Sequence, residues 1–310
     1  MFWSKLFLKG LLLLTLTGLM APASALAEDR RVAVLVGSGQ APFKAAAQGL
    51  ENYFSSQAGD VELLRFQMSK EKAERAKVLS QVATSGVDLV VALGSLAVDE
   101  ASGIIDNTPI VAGMVMDLKQ GGSNMTGVSL EIPIEIQLDW MKRFLPRATT
   151  VGIIYNPQEN SAKIASFSDV ALGRNVKIEG RTVSAPNELM PALEGFGNDV
   201  DVLLGIADKV ALTSKTAQKV LLFSFRNRIP FVGLSEAWVK AGALYALDRD
   251  YEDIGVQCGE LALDILNGAK VAELAPVYPR KIRYSLNMKS ADRMKLRLAS
   301  ALVEGATKVY

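Results

Sequence analysis

Histidine is absent from all 310 residues, which removes the Ser-His-Asp triad, the Cys-His nucleophile and the histidine-ligated zinc site from consideration. Cysteine occurs once, as Cys258, so neither an intrachain disulfide nor a thiolate metal cage is available. A charge excess is missing as well: Lys and Arg number 34 against 33 Asp and Glu. Without the first 27 residues, which carry only Lys5 and Lys9, the balance is 32 against 33 and gives no electrostatic case for nucleic acid. No phosphate-loop sequence and no nucleophile elbow can be found. What remains is a chain of about two domains' length with enough apolar residues for sizeable cores.

The amino terminus has the pattern of a secretory signal peptide: Lys5 and Lys9, then Leu11-Leu12-Leu13-Leu14-Thr15-Leu16, then Ala25-Leu26-Ala27. A spanning helix needs roughly 20 apolar residues, and Thr15, Thr17, Gly18 and Pro22 interrupt this stretch. Cleavage after Ala27 is expected, leaving a soluble exported chain from Glu28. No cysteine near that site offers a lipid anchor, and no later stretch is long and apolar enough to hold the chain in a membrane.

From Arg31 the sequence alternates short β-branched runs with segments of helical period, the signature of parallel βαβ units. Strands are expected at 31–36, 61–66, 87–92 and 109–113, with helices at 42–57, 70–85 and 96–104 between them. The theme restarts with a helix at 133–145 and strands at 150–155 and near 176–182, 200–205, 229–233 and 243–247. The turn-rich stretch Gly121-Gly122-Ser123-Asn124-Met125-Thr126-Gly127 is the expected crossing between two lobes. A helix opened by Asp250 and ended by Asn267-Gly268 has no strand of its own, and its simplest home is back on the first lobe. A return strand at 282–286 and a terminal helix from Ser290 follow. The expected division is a signal peptide at 1–27, a first lobe of 28–126 and 249–275, and a second lobe of 127–248 and 276–310. Several chain crossings make a hinge suited to capturing a ligand in a cleft.

Candidate ligand contacts lie where strands end, because ligands of open α/β sheets bind there. Gly37-Ser38-Gly39 follows the first strand, but Pro42 stands where a dinucleotide motif needs its last glycine, so a tight turn presenting Ser38 and Gly39 is expected. Gly94-Ser95 opens the helix continuing at Leu96, where Ser95 is expected to cap and the free N–H groups to accept an anion such as a carboxylate. Asn156 and Asn160 follow the first strand of the second unit, Asp208 and Lys209 its third, and Ser235 and Glu236 its fourth. Each alone is turn chemistry as often as a site; together they would line one crevice. Asp208 is expected to reach a ligand ammonium group, unless Lys209 neutralises it. Met114 and Met116 offer an adaptable apolar wall or a piece of core. Glu159, Asp208 and Glu236 could serve acid/base chemistry, but spacing does not bring any two together. Cys258, mid-helix beside Val256 and Leu261, reads as an inert buried thiol.

Several blocks resemble a known family. Thr126-Gly127-Val128-Ser129, the run from Pro133-Ile134-Glu135-Ile136-Gln137-Leu138 to Leu145-Pro146, and Val151-Gly152-Ile153-Ile154-Tyr155-Asn156-Pro157 with Glu159-Asn160-Ser161 are similar to the ABC-transporter substrate-binding family that includes tryptophan and tyrosine binders. Ile229-Pro230, Val239-Lys240-Ala241-Gly242-Ala243-Leu244 and Asp250-Tyr251-Glu252-Asp253-Ile254-Gly255 continue the resemblance across the chain after the signal peptide.

The resemblance implies an α/β, two-lobe type I periplasmic-binding-protein fold, each lobe a mostly parallel doubly wound sheet flanked by helices. It implies a periplasmic solute receptor that catalyses nothing and delivers its ligand to an inner-membrane ABC permease. The expectation is a monomer holding an amino-acid-like molecule, with no cofactor, metal or nucleic acid. Its rivals are a sensing module for a membrane signalling partner and an exported hydrolase.

Overall fold

A computed structural model of the chain describes residues 30–57, 60–103, 108–116, 118 and 124–310. The expected signal peptide and its cleavage site lie outside the described residues.

The first sheet is built from β1 (Arg30–Val36), β2 (Val61–Gln67), β3 (Leu89–Leu93), β4 (Ile110–Val115) and β5 (Met125–Ser129), in the order β2-β1-β3-β4-β5. Every pairing within it is parallel. Strands covered on both faces read as unbroken apolar runs, and Leu89–Leu93 is buried throughout. Side chains alternate between two cores: Val32, Val34 and Val36 face one, Ala33 and Leu35 the other.

Helices α1 (Ala41–Gln57), α2 (Lys72–Thr84) and α3 (Ser95–Ser102) connect these strands. Thr126-Gly127, read as part of the crossing, instead belongs to β5, which pairs in register with β4 up to a bulge between Ala112 and Val115. β5 therefore spans the expected lobe boundary between 126 and 127, and the chain leaves the first sheet only after Ser129.

The second sheet follows α4 (Ile134–Phe144). Its parallel strands are β6 (Thr150–Tyr155), β7 (Lys177–Thr182), β8 (Val202–Leu204), β9 (Phe231–Gly233) and β10 (Tyr245–Arg249), linked by α5 (Pro157–Leu172), α6 (Leu189–Glu194), α7 (Ala217–Asn227) and α8 (Glu236–Ala241). After β10 the chain returns to the first sheet as α9 (Tyr251–Leu266), then comes back to the second as β11 (Ile282–Leu286), α10 (Met288–Arg293), α11 (Ser300–Glu304) and β12 (Lys308–Val309). The strand order is β12-β11-β10-β9-β8-β6-β7, with β10 and β11 antiparallel.

α9 has the expected home. Asp250 is its N-cap, accepting from Asp253 N, and Ile254, Cys258 and Ala262 enter the first sheet's core beside Ala46 and Leu50 of α1. The two helices approach so closely that a Cβ on Gly255 would stand 1.8 Å from the Ala46 carbonyl oxygen, and one on Gly49 would stand 2.0 Å from that of Glu252. Cys258 is fully buried, and burial pushes its thiol up to about 12, which suits the expected inert role.

Among the described residues three crossings join the halves: 130–133, Asp250, and 278–281. They are tied to one another. Asp250 N donates to the Lys281 carbonyl at 3.1 Å, and Arg249 Nε to the Leu130 carbonyl at 2.5 Å. The Asp253 carboxylate, 3% exposed, pairs with Arg280 at 3.0 Å and Lys281 at 2.8 Å.

Candidate functional site

A cavity of about 270 Å³ opens at the carboxyl ends of β8, β9 and β10, beside the first and second crossings. From the second half it is lined by Leu204 to Ala207, Val232 to Leu234, Leu247, Lys163 and Phe167, and from the crossings by Glu131, Ile132 and Arg249. Among the described residues Met116 alone enters from the end of the first sheet. Its position follows from the bulge in β4, where Met114 takes a left-handed backbone conformation (φ 59°). Such bulges re-aim the side chains that follow them, and Met116, 52% exposed, stands out over the cavity. Phe167 projects from the buried stripe of α5, with Lys163 Nζ 5.7 Å from its ring centre. A neighbouring cavity of about 550 Å³ shares Met116, Glu131, Lys163 and Phe167 and extends the cleft to the half-exposed Tyr278.

Of the residues expected to line one crevice, only Met116 borders the first cavity. Ser38 and Gly39 lie in the turn after β1, where Ser38 Oγ accepts from Gln40 N at 3.3 Å. Ser95 does not cap α3. Gly94 holds the N-cap position with φ 100°, a conformation side chains rarely adopt, and Phe43 Cε1 would stand 2.5 Å from a Cβ there. Ser95 is accordingly the first helical residue, exposed, with Leu96 half-buried beside it. Ser235 precedes α8 without a side-chain cap bond, and exposed Glu236 accepts from Lys308 at 2.8 Å and from the Tyr310 hydroxyl at 2.5 Å.

Asn156, Asn160 and Asp208 do come together, as a buried network. Asp208 Oδ2 accepts from Asn156 N at 2.6 Å and Asn160 Nδ2 at 2.9 Å, and Oδ1 from Val210 N at 2.8 Å and Ala211 N at 2.6 Å. Asn156 also caps α5, accepting from Gln158 N, with Pro157 at the first helical position. Burial would raise the Asp208 carboxyl, but the N–H donors of Asn156, Ala211, Val210 and Asn160 outweigh it and hold it below the usual carboxylate range. Lys209 does not neutralise Asp208: its Nζ lies 3.7 Å from Glu159 Oε1, and its backbone N donates to Glu159 Oε2 at 3.1 Å. The carboxylate expected to meet an ammonium group instead fastens the loop after β8 to the start of α5.

Among the described residues the charged ones that border the cavity are Glu131, Lys163 and Arg249, none of them singled out from the sequence. Arg249 had a readable signal, since it ends a strand immediately before a helix cap. Glu131 and Lys163 had none, because they meet only through tertiary structure, at 2.9 Å. Among the described residues no cluster of His, Cys, Asp and Glu could hold a metal ion, and no helix is long and apolar enough to cross a membrane.

Two helix-flanked, mostly parallel sheets joined by repeated crossings, with a cavity at the strand ends beside them, define the type I periplasmic-binding-protein class. The chain belongs to the ABC transporter substrate binding protein family, whose model matches residues 38–310. It is similar to a tyrosine-binding protein of Clostridioides difficile (strain R20291), 30% identical over 193 residues that make up 61% of this chain and 55% of that protein. The matched stretch thus spans about half the length of that relative. An uncharacterized protein of Rickettsia prowazekii (strain Madrid E) is 22% identical over 85% of both chains.

Among solved structures, the ligand-free, open form of a substrate binding protein with adhesive properties from Clostridium difficile shares the fold with a TM-score of 0.72 at 19% identity, over 90% of this chain and 99% of that one. The ABC domain from Streptococcus pneumonia in complex with L-Trp matches at 0.54 and 20% identity, over 91% and 100%.

Proposed function

We propose that this protein is an exported solute-binding protein that captures an amino-acid-like molecule between its lobes and delivers it to an ABC permease without transforming it. The observation that carries the reading is the 270 Å³ cavity at the carboxyl ends of β8 to β10, bordered by the first and second crossings and by Met116 from the opposite sheet. A molecule held there touches both halves of the chain and can draw them together. The cavity is near the lower end of the size range of small-molecule sites, about 300 Å³. Its walls are mostly apolar with a few charged groups, as suits a small zwitterion with a hydrophobic side chain. The tyrosine-binding relative and the tryptophan-bound neighbour support aromatic amino acids as the first candidates.

The lobe division belongs to this reading: strands and helices of 30–129 with 251–277 form the first lobe, and 134–249 with 282–310 the second. So do a monomeric state, a periplasmic location after cleavage at Ala27, and the absence of any role for nucleic acid.

A thermal-shift screen of the proteinogenic amino acids tests it. At a hundredfold excess over its dissociation constant, a true ligand stabilises the folded chain by about 2.7 kcal/mol, and L-tyrosine or L-tryptophan is expected to do so. If no amino acid in the screen shifts the transition, the amino-acid reading is wrong.

A further inference from the structure

We infer that Arg249 is the anion receptor of the cavity, so that the captured solute carries a carboxylate and presents it to the crossings rather than to the start of α3. The inference rests on the binding function proposed above and names the chemistry and the residue that select the solute.

Among the described residues three charged side chains border the cavity, and two of them cancel: Glu131 Oε1 and Lys163 Nζ are 2.9 Å apart. Among the described lining residues, the charge left facing the cavity is that of Arg249. Its side chain is 20% exposed, and its Nε donates to the Leu130 carbonyl. Its terminal nitrogens have no carboxylate within hydrogen-bond distance among the described residues. The nearest, Asp248 Oδ1, is 3.9 Å from Nη1 and already accepts from the Arg249 backbone N at 2.8 Å and the Tyr251 hydroxyl at 2.9 Å.

A guanidinium fixed along one edge keeps its remaining N–H donors in the planar fork that matches a carboxylate. A bidentate anion meets those donors in place of water. Met116, Phe167, Leu234 and Leu247, which share the cavity, supply the apolar wall for the rest of such a molecule.

The position of Arg249 adds a consequence. It is the last residue of β10 before the second crossing, and its side chain is bonded to Leu130 at the start of the first. A carboxylate bound to it is anchored to the first and second crossings at once.

The test is calorimetry on the full chain with three probes that share a phenol ring: L-tyrosine, tyramine, which lacks the carboxylate, and 3-(4-hydroxyphenyl)propionate, which lacks the amine. Wild type is expected to bind tyrosine and the propionate, with tyramine at least about 30-fold weaker than tyrosine. Arg249→Gln should weaken tyrosine by about the same factor while leaving tyramine unchanged, and Arg249→Lys, which keeps the charge without the fork, should fall between.

Tyrosine affinity within threefold of wild type in Arg249→Gln overturns the inference and leaves the binding function intact. So does a parallel loss of tyrosine and tyramine, which marks a purely structural arginine. If Arg249→Gln fails to fold, the wild-type comparison decides alone, and tyramine bound as tightly as tyrosine overturns the inference. If wild type binds none of the three, the same comparison of acid, amine and amino acid is run on whichever amino acid the thermal screen finds. An empty screen ends the amino-acid reading and this inference with it.

Discussion

Asp208 is a carboxylate whose oxygens are both committed to the chain itself. Its four donors come from the start of α5 and from the turn that follows β8. Asp208→Asn keeps the shape but turns an NH2 group toward donors, leaving buried N–H groups without acceptors. The expected cost is about 2 to 4 kcal/mol of folding stability at neutral pH. Because the folded-state pKa is depressed, the stabilisation is fully present above the unfolded carboxyl pKa and is lost as pH falls through the folded value. The gap between wild type and Asp208→Asn in urea unfolding should therefore be full at pH 7 and narrow on acidification. An unchanged unfolding midpoint together with a lost solute affinity would return Asp208 to the ligand. The sequence showed this residue in the segment that follows a strand, and it lies in the loop after β8. What it could not show is that the backbone N of Asn156, 52 positions away, reaches the carboxylate at 2.6 Å. Arg249 is the opposite case: a strand-end residue whose one readable signal was the helix cap after it, made significant by a carbonyl 119 positions distant.

At the scale of elements, the meeting of α1 and α9 depends on two glycines set against carbonyl oxygens. In Gly255→Ala the new methyl carbon would lie 1.8 Å from Ala46 O, and a backbone atom cannot swing aside as a side chain can. The helices have to separate, which is expected to cost about 1 to 3 kcal/mol or more and to loosen the core around Leu50 and Cys258. Gly39→Ala is the control, since nothing lies within 4 Å of a Cβ there, and its urea midpoint should match wild type. Equal midpoints for all three proteins would mean that α9 docks less tightly than its geometry implies. The β/α alternation and the Asp250 cap made most elements legible, down to the return of α9. β5 escaped because Thr126, Gly127 and Ser129 carry turn chemistry, and only the edge of β4 makes a strand of them.

At the scale of the molecule, the doubly wound halves were legible from periodicity, but strand order and the packing of the three crossings were not. Those crossings decide how the protein can move. Asp250 N is bonded to Lys281 O, Arg280 and Lys281 share the Asp253 carboxylate, and Arg283 Nη2 lies 2.7 Å from Asp250 Oδ2. Tied in this way, the crossings act as one hinge, and the motion open to the halves is a rotation about it. The cleft side of that hinge carries exposed Met116 and Tyr278, 52% and 48% accessible, which gain contacts only if the halves approach each other. A solute can shift that equilibrium only through its differential affinity for the closed form, and a molecule touching Met116 on one side and the β8 to β10 ends on the other has it. Small-angle scattering with saturating L-tyrosine should therefore show a smaller radius of gyration than the ligand-free chain. Proof of saturation by calorimetry on the same sample makes the comparison decisive, because an unchanged profile from a saturated protein would mean a rigid cleft, with the hinge bonds locking the halves instead of guiding them.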